Sequence, residues 1–175
     1  MLYPTSCPTG KAEDVVRAPS IPLGLQNTFP AVAQLPYSMP RATVVRRVHF
    51  NAAHRLHNPG QSAEWNLATF GPCNNLNYHG HNYEVELCVE GDVSPETGYV
   101  LDVGILKALF DEHVHAYLDH RNLNLDVPWF ATRLASTENV ARFIWEQLVS
   151  RIPSGRLTCV RLWETPRNYV EYRGG

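Results

Sequence analysis

One stretch limits the folds open to this chain more than any other. From His81 onward, His81, Tyr83, Val85, Leu87 and Val89 alternate with Asn82, Glu84, Glu86, Cys88 and Glu90. Apolar and polar residues in strict alternation describe a β-strand with one buried and one wet face. The segment ahead of it reads Cys73-Asn-Asn-Leu-Asn-Tyr-His79-Gly80-His81, so two histidines enter the strand with a cysteine upstream. With extended backbone from His79, both imidazoles fall on the side of Tyr83 and Val85. Two neutral imidazoles side by side on a partly buried face suit a divalent metal, most naturally zinc. Two polar histidines at an ordinary strand start are the plain alternative.

A second alternating segment runs from Ala42 to about His54. Val44, Arg46, Val48, Phe50, Ala52 and His54 share one of its faces, which places a third histidine at the end of a mostly apolar face. Arg46 on that face is either an anion contact or an edge arginine with a packed stem. His54, His79 and His81 together would leave the fourth tetrahedral position of a zinc ion open, the form used in catalysis rather than in structural sites. No Cys-x-x-Cys pair is present to make a structural site instead.

The remaining sequence supplies two helices and two strands. Residues 55–72, with Asn58-Pro59-Gly60 and Gly71-Pro72, read as a long connection in which Trp65 and Phe70 are anchors. Asp102 is a natural N-cap, and Ile105, Leu106, Leu109, Phe110, His113, Tyr117 and Leu118 recur at helical spacing up to Asp119-His120. Residues 121–135 connect to a second helix capped by Ser136 or Thr137, with Val140, Phe143, Ile144 and Leu148 as its stripe. Strands at Leu157–Thr165 and Tyr169–Tyr172 flank Pro166-Arg-Asn168, a hairpin signal. The order strand, strand, helix, helix, strand, strand predicts an α+β fold with an antiparallel sheet and helices on one face. Such a sheet has two open edges, which invite oligomerisation.

Composition bounds the rest. The 175 residues suit one domain, and a net charge of −2 speaks against a general nucleic-acid-binding surface. The four cysteines are scattered and read as reduced thiols of a cytoplasmic protein. No apolar run approaches the roughly 20 residues that span a bilayer, and the N-terminus shows no secretory pattern. Residues 1–40 carry seven prolines without period and read as an irregular arm ahead of a folded domain at 41–175.

Three further groups bear on chemistry. Cys73, beside imidazoles and a dication, would favour the thiolate, which can be a nucleophile, a base or a ligand. Asp119-His120 is either a carboxylate-oriented imidazole or a polar helix end. Glu164, on a face with Val160 and Leu162, is either a ligand-binding carboxylate or a strand-end residue reaching solvent.

The motifs Phe50-x-Ala52-x-His54, Cys73 followed by His79-Gly80-His81-Asn82-Tyr83, Thr97-Gly98, Leu118-Asp119-His120-x-x-Leu123-Asn124, Ser136-Thr137-Glu138-Asn139 and Trp163-Glu164-Thr165 occur in order. In this the sequence, over about residues 43–173, resembles the 6-pyruvoyl-tetrahydropterin synthases. The five residues between Cys73 and His79 favour this branch over the related 6-carboxy-tetrahydropterin synthases of queuosine synthesis. The resemblance implies the tunnelling (T-) fold, a four-stranded antiparallel sheet with two helices on one side. It implies three subunits closing a β-barrel and two trimers stacking into a hexamer. It also implies conversion of 7,8-dihydroneopterin triphosphate to 6-pyruvoyl-tetrahydropterin, a step of tetrahydrobiopterin synthesis, with loss of triphosphate. Zn²⁺ would sit on His54, His79 and His81. Cys73 would be the base, and Asp119 and His120 a proton relay with His120 from a neighbouring subunit. Glu164 would anchor the pterin, with Thr137 and Glu138 lining its pocket. The carboxy-producing reaction, and a non-catalytic zinc or pterin module on the same fold, are the rivals. The second would be expected to lack Cys73 or Asp119-His120, and both are present here.

Overall fold

The computed structural model describes residues 38–175; residues 1–37, and with them nearly all of the expected proline-rich arm, lie outside the described residues. Strands β1 (Arg41–His54) and β2 (His79–Asp92) pair antiparallel along their whole length, from Arg41 opposite Asp92 to His54 opposite His79. The alternation predicts their faces correctly. Val48, Phe50, Ala52 and His54 are buried with Tyr83, Val85, Leu87 and Val89, and the rings of the directly opposed Phe50 and Tyr83 stack at 4.8 Å. The other face carries cross-strand ion pairs, Arg47–Glu84 at 3.1 Å and Arg161–Glu86 at 2.8 Å.

Strand β4 (Arg156–Thr165) pairs antiparallel with β2, and β5 (Asn168–Tyr172) returns along β4 as the expected hairpin. The backbone enters β4 through Gly155, whose φ is +75°. A Cβ there would meet the Glu90 carbonyl oxygen at 2.8 Å, so glycine is required on both counts. The sheet has five strands in the order β3-β1-β2-β4-β5, not four. The extra one, β3 (Arg121–Asn122), is two residues long and runs parallel to Ala52 and Ala53 of β1. So short a strand has no sequence period; its pairing comes from where the preceding helix delivers the backbone.

That helix begins as α2 (Val103–Phe110), capped by Asp102 accepting from the Gly104 N–H at 2.7 Å. It widens into one π-helical turn (Asp111–His115) and ends as α3 (Ala116–Leu118). Leu106, Phe110, Val114 and Leu118 are its buried residues, a constant spacing of four. An α-helix with 3.6 residues per turn would rotate such a stripe off the sheet, and the wider turn resets it. Ile105 and Tyr117, expected in the stripe, are exposed for the same reason. Helix α5 (Thr137–Leu148), with Ser136 as its cap, buries Val140, Phe143, Ile144 and Leu148 as predicted. The stripes of these helices and the buried face of β1, β2 and β4 form one core. Removing one of its large side chains, such as Phe50, costs about 3–5 kcal/mol.

Residues 55–72 were expected as a loop and contain α1 (Ala63–Phe70), followed by a 3₁₀ turn (Gly71–Asn74). This helix has no apolar stripe. A polar residue, the fully buried Asn66, organises it by accepting from the Asn58 N–H at 2.7 Å and donating to the carbonyls of Asn58 and Ser62, both at 2.9 Å. The short α4 (Leu123–Asp126) follows β3. Among the described residues no helix is long and apolar enough to cross a membrane.

Candidate metal centre and active site

The β1–β2 ladder builds the site. His54 ends β1 directly opposite His79 at the start of β2, and His81 follows one pleat later on the same side. The three rings converge, with centroids 4.5 Å (His54–His79), 5.1 Å (His54–His81) and 5.0 Å (His79–His81) apart. One nitrogen from each lies within 4.8 Å of the others. His54 is 1% exposed, and its Nδ1 lies 2.6 Å from the Ala135 carbonyl oxygen. A carbonyl only accepts, so Nδ1 carries the hydrogen and the Nε2 lone pair is free. That contact also fixes the ring, as the outer hydrogen bond of a metal-binding histidine does.

Five buried side-chain polar atoms among the described residues lack a hydrogen-bond partner: His54 Nε2, His79 Nδ1, His81 Nε2, the Tyr83 hydroxyl and Arg46 Nε. Buried polar atoms are ordinarily satisfied, and four of these five gather at one place. Three imidazole nitrogens left bare together fit a divalent cation with nitrogen preference. Burial pushes His54 and His81 below the ordinary imidazole value of 6.5, with the neighbouring imidazoles adding to the effect. This outweighs Glu164 at both rings and the Ala135 contact at His54. The rings are thereby held neutral, the state a metal ligand needs.

Glu164 projects from β4 to the edge of this cluster. Its Oε1 accepts from the Thr137 hydroxyl at 2.9 Å and lies 3.4 Å from His54 Nε2 and 3.6 Å from His81 Nε2. Thr137 opens α5, so the helix start and β4 meet at one carboxylate oxygen. Glu138 is different: it is exposed in the first turn of α5 and has no hydrogen bond or ion pair among the described residues. The Tyr83 hydroxyl is the group that sequence reading passed over. Burial pushes this phenol well above its ordinary value, and Glu164 and Cys73 add to the effect as negative neighbours.

Cys73 is half-buried in the 3₁₀ turn and is not one of the clustered ligands. Its turn is tied to the residues just after His54. The Cys73 carbonyl accepts from the Leu56 N–H at 2.9 Å, and Arg55 donates to the Asn74 carbonyl at 3.0 Å and to Asn74 Oδ1 at 2.8 Å. Asn124 closes the tie, accepting from the Arg55 N–H at 2.8 Å and donating to the Arg55 carbonyl at 3.0 Å. The sequence showed the Asn124 motif but not this role.

Asp119 and His120 face each other, with His120 Nδ1 2.6 Å from Asp119 Oδ2. His120 has φ +56°, a left-handed backbone that is costly for a residue with a side chain, and its N–H donates to the Asn51 carbonyl at 2.6 Å. Asp119 Oδ1 accepts from the Asn51 N–H at 2.8 Å, and His115 Nε2 stands 3.5 Å from Oδ2. Partial burial pushes the Asp119 carboxyl up, but the Asn51 N–H and His120, with the charge of His115, hold it below its usual range. The His120 side chain is 79% exposed and, with His81, lines an open cavity of about 390 Å³ on the wet face of the sheet.

Comparison with known proteins agrees with this geometry. The profile of the family described as 6-pyruvoyl tetrahydropterin synthase matches residues 43–175. The protein is 46% identical over 134 residues to the human 6-pyruvoyl tetrahydrobiopterin synthase, covering 77% of its own length and 92% of that protein. It is 43% identical over 136 residues to the Drosophila melanogaster protein of the same name, covering 77% and 81%. The 6-carboxy-5,6,7,8-tetrahydropterin synthase of Bacillus subtilis is 33% identical over 149 residues, covering 81% and 89%. Among solved structures, the Caenorhabditis elegans 6-pyruvoyl tetrahydropterin synthase superposes with a TM-score of 0.75 at 42% identity, covering 78% of this protein and 98% of that one. The α+β sheet with its three-histidine corner is therefore an instance of an established fold, and the protein belongs to the 6-pyruvoyl tetrahydropterin synthase family.

Proposed function

We propose that the protein is a zinc-dependent lyase that converts 7,8-dihydroneopterin triphosphate to 6-pyruvoyl-tetrahydropterin with elimination of triphosphate. One observation carries this reading: three bare imidazole nitrogens sit together beside a carboxylate, in a sequence 46% identical to a protein named for that activity. Hydrogen moves from the substrate's side chain to its ring, since the hydroxyls become carbonyls as the dihydro ring becomes tetrahydro. The reaction needs no outside oxidant, only groups that relocate protons.

Zn²⁺ held by His54, His79 and His81 supplies Lewis acidity, which makes the substrate C–H next to a bound oxygen easier to ionise. Cys73, as thiolate, takes that proton. Asp119 holds the His120 ring by Nδ1, so Nε2 is the atom that gives or accepts a proton. The exposure of His120 suits a group working in the site of an adjoining subunit, and the proposed assembly is a hexamer made of two trimers. Glu164 binds the amino and ring N–H groups of the pterin by paired charge-assisted hydrogen bonds. Thr137 holds Oε1 in place and leaves Oε2 for the ligand. Glu138, at the exposed mouth of α5, has the weakest place in this scheme.

The higher identity to the pyruvoyl-named relatives than to the carboxy-named one favours the pyruvoyl product. Incubation with dihydroneopterin triphosphate and mass analysis tests the reading. It expects the pyruvoyl side chain and free triphosphate; a carboxy product assigns the other branch, and no turnover by zinc-loaded protein removes the enzyme reading.

A further inference from the structure

The histidine cluster stands between two cavities of opposite character. One, of about 610 Å³, is lined by His81, Glu84, Trp163 and Glu164, with Arg47. The other, of about 490 Å³, is lined by Arg55, His57, Tyr78, Asn124, Thr132 and Arg133, and no carboxylate of the described residues faces it. This second cavity adjoins the cluster through the backbone itself. Arg55 follows His54, Tyr78 precedes His79, and Leu134, also in its wall, precedes the Ala135 whose carbonyl holds the His54 ring.

We infer that the cavity of Arg55, His57 and Arg133 receives the triphosphate of the substrate, an assignment that rests on the function proposed above. The substrate is a short rod with a hydrogen-bonding ring at one end, hydroxyls in the middle and a polyanion at the other end. With the ring on Glu164 and the hydroxyls at the histidines, the phosphates must continue past the cluster on the side away from Glu164. The carboxylates of Glu84 and Glu164 repel a polyanion from the first cavity; the second offers two guanidinium groups without an opposing charge.

The arginines are placed but retain free donors. Arg55 commits Nε and Nη2 to Asn74 and has Nη1 left. Arg133 gives Nη1 to the Trp129 carbonyl at 3.1 Å and lies over the Trp129 ring at 4.4 Å, which holds the guanidinium flat while its other N–H groups remain available. Planar, always-charged forks of this kind match phosphate oxygens two at a time. Fixed positive charge there also stabilises the triphosphate as it departs. Arg55 has a second part in this. Because it grips Asn74, a phosphate seated on Nη1 is registered against the turn that carries Cys73, the proposed base.

Inorganic tripolyphosphate is the probe, used on the zinc-loaded, assembled protein. It should compete with dihydroneopterin triphosphate, and Arg133→Ala should weaken its binding roughly fivefold, with Arg133→Glu weaker still. Both variants should raise KM for the triphosphate substrate, bind unphosphorylated dihydroneopterin as the parent does and keep their zinc. Arg133 is exposed, so neither change threatens folding. Unchanged tripolyphosphate affinity in Arg133→Glu, competition that only tracks zinc stripped by the polyphosphate, or binding without competition would each overturn the assignment. Failure of the underlying function looks different: the parent would then bind no dihydroneopterin and turn over no triphosphate, whatever tripolyphosphate does.

Discussion

At the scale of single residues, the site separates into groups that hold metal, move protons and select substrate, and each can be removed alone. His79→Ala takes away one of three clustered ligands and should lose most of its zinc by elemental analysis, whereas Cys73→Ala, outside the cluster, should keep it. Turnover in Cys73→Ala should nonetheless fall about 10²–10⁴-fold, the usual cost of a missing base. A Cys73→Ala enzyme running at the parental rate would assign the proton to another group. Glu164→Gln keeps the size of the side chain but turns an acceptor toward the pterin into a donor. An unpaired buried polar group costs about 1–3 kcal/mol, so calorimetry should show pterin affinity falling roughly tenfold with zinc content unchanged. The histidines also set a pH dependence. Burial holds His54 and His81 below 6.5 in the folded metal-free protein, while the unfolded state binds protons at that value. Metal-free stability should therefore be full above about pH 6.5 and decline as pH falls through it toward the folded values. Urea midpoints between about pH 7.5 and 5 check this, and a flat profile would mean the rings are not buried neutral.

At the scale of elements, the long ladder and the helix irregularity do most of the positioning. Pairing of β1 with β2 over 14 residues each puts His54 against His79, and a one-residue slip would send one of the two to the wet face. The π turn at Asp111–His115 carries the helix to Asp119 with Leu118 still buried and His115 facing the carboxylate. Entry into β4 depends on Gly155. Gly155→Ala adds a Cβ 2.8 Å from the Glu90 oxygen and 2.9 Å from Val89 Cγ1 at a left-handed φ. The left-handed backbone alone costs about 1–2 kcal/mol, so the denaturation midpoint should fall clearly while the zinc content of the folded protein holds. A parental midpoint would show that the entry into β4 relaxes without effort.

At the scale of the whole molecule, the described residues leave the sheet open. β5 has no outer partner among them, and β3 covers β1 only at Ala52 and Ala53. Exposed strand edges are seldom left bare. A highly exposed His120 joined to a largely buried Asp119 likewise suits a site completed by another copy. Sedimentation should find a hexamer with little monomer at assay concentration. Activity that survives dilution to a true monomer would show that a single subunit holds a whole site.

What the sequence determined by itself were the features with a period or a motif. Alternation revealed the faces of β1, β2 and β4, helical spacing revealed α5 and the body of α2, and the three histidines stood at the ends of apolar faces where a ladder would join them. The resemblance then named the family that the comparisons bear out. The tertiary structure alone decided the rest, because those features depend on contacts distant in sequence. Helix α1 is organised by Asn66, a polar residue without a stripe. β3 exists because the preceding helix lays two residues beside Ala52 and Ala53. The tie from Arg55 to Asn74 joins residues 19 positions apart and the Thr137–Glu164 hydrogen bond residues 27 apart. Neither contact, nor the bare nitrogens of the cluster, exists until β1, β2, β4 and α5 have packed. Local sequence encodes the period of an element; which side chains meet across elements is set by the one packing that buries the core.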